Sequence, residues 1–77
     1  MSWNYRIIEF KDPNTGPWRA IHEVFYDDNQ KPKLYAEFPA GVIASEDEKL
    51  ADVLDMMRKA LDRPVLFETD FKGESSD

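Results

Sequence analysis

Trp18-Arg19-Ala20-Ile21-His22-Glu23-Val24-Phe25-Tyr26-Asp27-Asp28 is the longest run in this 77-residue chain rich in β-branched and aromatic residues, and turn-forming residues stand at both its ends. Such a run fits a pleated, half-buried surface, so it is read as the middle strand of a small sheet. Alternation places Arg19, Ile21, Glu23, Phe25 and Asp27 on one face and Trp18, Ala20, His22, Val24 and Tyr26 on the other. The second set is the cleaner core face.

Working outward, Trp3 to Phe10 reads as a first strand, with apolar groups on both faces. Asp12-Pro13-Asn14-Thr15-Gly16-Pro17 joins it to the middle strand as a hairpin loop, because fixed φ, a self-capping side chain and tolerance of positive φ all favour reversal. Asp27-Asp28-Asn29-Gln30-Lys31-Pro32 is a second turn. It leads into a third strand over Lys33 to Phe38, where Leu34, Ala36 and Phe38 alternate with Lys33, Tyr35 and Glu37. These strands are expected to form a three-stranded antiparallel meander.

Pro39-Ala40-Gly41 interrupts the pairing, and Val42-Ile43-Ala44 leads toward Ser45, which has Glu48 three residues on in a capping-box spacing. A helix is therefore expected from Ser45 to about Asp62, ended by Pro64. Leu50, Val53, Leu54, Met57 and Leu61 form its apolar stripe, with Met56 and Ala60 at the margin. Val65-Leu66-Phe67 is a short fourth strand or an extended arm, and the residues after it have the composition of a loose polar end. The fold class expected is α+β in the order β-β-β-α-β, with one domain over residues 1–68 and a flexible acidic tail over 69–77.

The composition removes several functions. There is no cysteine, which excludes disulfides, thiolate metal sites and thiol catalysis. A net charge of −6 repels phosphate backbones unless the few cations cluster, so nucleic acid is disfavoured as a partner. No apolar run is long enough to span a membrane and Met1-Ser2-Trp3-Asn4-Tyr5-Arg6 is not a signal peptide, so the cytoplasm is the expected compartment.

Trp3-Asn4-Tyr5-Arg6, Ile21-His22-Glu23-Val24-Phe25-Tyr26-Asp27 and Ala60-Leu61-Asp62-Arg63-Pro64-Val65-Leu66 resemble the recurrent blocks of a family of short uncharacterised bacterial proteins. The order of elements is also similar, in architecture, to the N-terminal domain of HicB-type antitoxins. That likeness implies a dimerising, toxin-binding module. The chain departs from the full-length antitoxin pattern in showing no DNA-binding segment after the domain, so operator binding is not implied.

No constellation of catalytic residues assembles. His22 and Glu23 are adjacent on a strand and point to opposite faces, so they cannot share a proton, and His22 is expected to make a structural hydrogen bond. Asp27, Asp28 and Asn29 are ordinary turn vocabulary and lack the spacing of a calcium loop. No catalytic residue, metal, cofactor or small-molecule substrate is assigned.

The remaining signal is packing. One amphipathic helix covers one face of a small sheet, while large apolar side chains occupy both. Trp18, Phe25, Tyr35, Tyr5 and Ile21 are therefore the expected interface residues, and a homodimer or another protein the expected cover. The plain alternative is that Val42-Ile43 and Val65-Leu66-Phe67 fold back over that surface. Glu48, Asp52 and Asp55 form an acidic helix face that suits a basic partner or is simply solvated. The function expected is thus a non-enzymatic protein-interaction domain, a homodimeric regulator or inhibitor of a bacterial partner protein. The competing expectation is a sheet-based single-stranded RNA binder using the aromatics with Arg6, Arg19 and Lys33.

Overall fold

The computed structural model describes residues 2–74. β1 (Ser2–Phe10) and β2 (Trp18–Tyr26) pair antiparallel along their whole length, with Tyr5 opposite Glu23, Ile7 opposite Ile21 and Ile8 opposite Ala20. Directly paired residues share a face, so the two alternations read from the sequence combine into two well-defined sides. Tyr5, Ile7, Ile21 and Phe25 lie on one side, and Ile8, His22, Val24 and Tyr26 on the other.

The loops close by the chemistry their residues suggest. Asp12 Oδ1 accepts the Asn14 and Thr15 amides at 2.7 and 3.2 Å, and Gly16 takes a φ of 87° that a side chain would strain. In the second turn Asp27 Oδ1 accepts the Asn29 and Lys31 amides at 2.8 and 3.0 Å. There the left-handed position, at a φ of 62°, falls on Gln30 rather than on a glycine.

β3 (Pro32–Tyr35) is shorter than the sequence pattern suggests and meets β2 across an irregularity at Phe25/Tyr26. Beyond it the chain stays on the edge of β2 through isolated bonds, Ala36 N–H to Glu23 O and Ala40 N–H to Ile21 O, both 2.9 Å. The sheet is not a three-stranded antiparallel meander. β4 (Leu66–Phe67) joins the free edge of β1 in parallel, placing Leu66 opposite Ile8, and the result is a mixed four-stranded sheet of order β3-β2-β1-β4. The reason is the helix, which supplies the crossover that a parallel strand requires and returns the chain in the direction of β1.

α1 (Leu50–Arg58) begins five residues after the expected cap and continues as a 3-10 turn over Lys59–Asp62. Glu48 does reach back to Ser45, accepting its N–H and its hydroxyl at 3.1 Å each. Those bonds close a separate turn, with Glu48 N–H on Ser45 O at 3.0 Å, while Lys49 is extended and starts the helix without a side-chain cap. α1 itself ends at Arg58, and the 3-10 turn that follows it ends at Asp62, ahead of Pro64, where the proline dictates.

Each side of the sheet has its own core. Val53, Met57 and Ala60 pack on Tyr5, with Ile7, Ile21, Ala40 and Ala44 around them. On the other side Ile8, Val24, Tyr26 and Leu66 are covered by Phe10, Tyr35 and Phe71. Phe71 comes from a 3-10 segment over Glu68–Glu74, within the stretch whose composition reads as a tail; its ring lies 4.9 Å from that of Tyr35, and Asp70 Oδ2 holds the Phe67 amide at 2.7 Å. The rest of the expected tail, residues 75–77, lies outside the described residues.

Candidate interaction surface

His22 is 2 % exposed and its ring packs against those of Phe10 and Tyr35, at 5.2 and 5.5 Å. Its Nδ1 lies 2.9 Å from Ala36 O. A carbonyl only accepts, so Nδ1 carries the proton, and Nε2 is left buried without a partner. This bond pins the chain leaving β3 against the sheet, a structural duty, while Glu23 points to the opposite side as the strand dictates.

Arg6, on the same side of the sheet as His22, is tied into a polar network. Its guanidinium donates to the Tyr26 hydroxyl at 2.8 Å and to Pro64 O at 2.7 Å, and Tyr26 in turn donates to Asn4 Oδ1 at 2.8 Å. Arg19, on the opposite side, is bound to Glu9 at 3.0 Å. Arg6 and Arg19 therefore serve different faces, and the aromatics and cations of the RNA-binding expectation do not converge.

The five expected interface residues are likewise divided. Tyr5, Ile21 and Phe25 face the helix side, with Tyr5 buried and the other two half-buried. Trp18 and Tyr35 belong to the other side, where Trp18 stacks on Phe10 at 4.8 Å and Tyr35 is held among Phe10, His22 and Phe71. Burial, then the nearby Glu23 and Glu48, raises the Tyr5 hydroxyl above the usual phenol range. Burial, then Glu68, does the same to Tyr35. Asp52 and Asp55 are exposed on the helix, and Glu48 precedes it with its carboxylate turned to Ser45.

Exposure marks a different surface from the one sequence reasoning chose. Only Val53 and Met57 of the expected helix stripe are buried, together with Ala60, which was placed at its margin. Leu50, Leu54 and Leu61 remain 52, 51 and 65 % exposed. The helix meets the sheet on one border of its stripe because Ala60, fully buried and small, lets its end approach β1. The other border is left in solvent. The signal was present in the width of the stripe: seven apolar side chains on so short a helix exceed what one flat contact can take. Near it, a shallow hollow of about 170 Å³ is lined by Ile7, Arg19, Ala20, Ile21 and Leu61. Val42 and Ile43 do not fold back as cover, being 51 and 76 % exposed.

The chain is also extended for its length. Its radius of gyration is 13.6 Å, against about 11.5 Å for a compact domain of this size. Among the described residues no group of three or more His, Asp or Glu side chains could hold a metal ion, and no helix is long and apolar enough to cross a membrane. Compared with protein-family models, with curated proteins and with solved structures, the chain matches none.

Proposed function

We propose that this chain is a non-enzymatic protein-interaction domain that works as a homodimer, regulating or inhibiting a second protein. The observation that carries the reading is the set of Leu50 and Leu54 on α1 and Leu61 on the 3-10 turn that continues it, each at least half exposed. Single exposed leucines are ordinary, but a contiguous apolar row on a small domain marks a contact surface.

Magnitudes decide how strong the contact is. Completing the burial of each half-exposed leucine returns about 1 kcal/mol, so three in each of two copies return about as much as association costs at the low end. The leucines alone are marginal. Further contacts must supply the surplus, and the expected affinity is weak, between micromolar and millimolar.

Leu50→Lys combined with Leu54→Lys tests the reading. Both sites are half in solvent, so circular dichroism and the melting temperature should change little, while the mass from size-exclusion light scattering should fall from that of two chains to that of one. An unchanged mass would show that this row is not the contact.

A further inference from the structure

We infer that two copies of the chain pair through α1 in antiparallel fashion, each helix laying Leu50, Ala51 and Leu54 against the same residues of its partner, with the acidic turn just before one helix against the basic end of the other. The inference rests on the proposed self-association and specifies its geometry.

Three observations on the helix lead to it. First, Leu50, Leu54 and Arg58 succeed one another at four-residue steps, and Ala51 lies beside them; all four are exposed, so they form one continuous ridge. A small residue within a row of leucines lets two helices approach closely and interdigitate. Second, charge changes sign from the turn that precedes α1 to the segment that ends it. Residues 46–55 contain five carboxylates and one lysine, whereas residues 58–63 contain three cations and one carboxylate. Third, these charges are uncommitted to one another, since the ion pair found among the described residues is Arg19 with Glu9, away from the helix.

A two-fold axis near residue 52 satisfies all three. It sets Leu50 of each copy against Leu54 of the other and places the turn carrying Glu46 and Asp47, which leads into one helix, at the end of the partner's helix that carries Arg58 and Lys59. Parallel pairing instead puts five carboxylates beside five, a repulsion that complementary interfaces avoid. The antiparallel contact is isologous and closes on itself, so it yields dimers and not filaments.

Charge exchange tests the pairing. Glu46→Arg with Asp47→Arg places like charges at both ends of the dimer, and so does Arg58→Glu with Lys59→Glu; each variant alone should dimerise at least about tenfold more weakly. Mixing the two in equal amounts should restore association, because every end contact in the mixed dimer is again of opposite sign. As the chain has no cysteine, Ala51→Cys should form a disulfide dimer on oxidation, whereas Arg58→Cys should not. Two copies of residue 58 lie about 18 Å apart along the antiparallel pair at 1.5 Å per residue.

Self-association that both charge variants leave intact, no recovery on mixing, or equal cross-linking at 51 and 58 would each overturn the antiparallel pairing while leaving self-association standing. A wild-type chain that stays monomeric at millimolar concentration removes the pairing together with the reading it rests on.

Discussion

Replacing Phe71 by alanine should destabilise the domain by about 2 kcal/mol. Truncating a fully buried phenylalanine costs about 3–5 kcal/mol. Phe71 is only partly buried, against Tyr35 and the cluster of Ile8, Val24, Tyr26 and Leu66, so roughly half of that applies. A domain of this length is expected to hold about 4–12 kcal/mol in total, which makes the loss a large fraction. It corresponds to a fall in melting temperature of about 10 °C. Urea denaturation followed by far-ultraviolet circular dichroism gives the free energy, and a spectrophotometric tyrosine titration gives a second readout. Burial is the main cause of the raised Tyr35 hydroxyl, so removing its cover should bring that group back toward the ordinary phenol value. A loss under about 0.5 kcal/mol, the scale of a surface substitution, with the tyrosine titration unmoved, would refute the assignment of Phe71 as the lid of the second core.

Stability should also decline in alkali. Tyr5 and Tyr35 are both raised in the folded chain, which holds their protons more tightly than the unfolded chain does; the stability is fully present below the ordinary value near 10 and is lost as pH rises through the folded values. Urea midpoints between pH 8 and pH 11 should show this, and Tyr5→Phe with Tyr35→Phe should flatten the slope; an equal slope in the double variant would contradict it. Tyr26→Phe removes both the acceptor for Arg6 and the donor to Asn4, at a cost of about 1–2 kcal/mol, and a double-mutant cycle with Asn4→Ala should show coupling rather than additivity. Gln30→Gly relieves a left-handed residue and should be neutral or stabilising by up to about 1 kcal/mol, whereas Gln30→Val should be clearly destabilising by the same denaturation assay.

The strands were legible because alternation is a strong signal and the Asp12 and Asp27 turns close with the bonds their side chains suggest. The hydrogen bond of His22 was likewise expected, and its neighbour Glu23 faces away as the alternation requires. What stayed hidden was set by contacts distant in sequence. The pairing of Leu66 with Ile8 depends on where the helix sets the chain down, which no local pattern encodes. Phe71 sits in a polar stretch, and its packing against Ile8, Val24, Tyr26 and Leu66 joins residues far apart in the chain. The helix stripe was found correctly, but its rotation was not, because burial of the small Ala60 rather than the larger leucines decides which border docks. The chosen interface residues were divided for the same reason: periodicity assigns residues to faces without saying which face a later segment will cover.

Sedimentation equilibrium of the wild-type chain over a concentration series from micromolar to millimolar tests most directly whether the open leucine row is a contact surface between copies. The account predicts a monomer–dimer equilibrium with a dissociation constant between micromolar and millimolar and a limiting mass of two chains. A single species of one chain's mass across the whole series would contradict it.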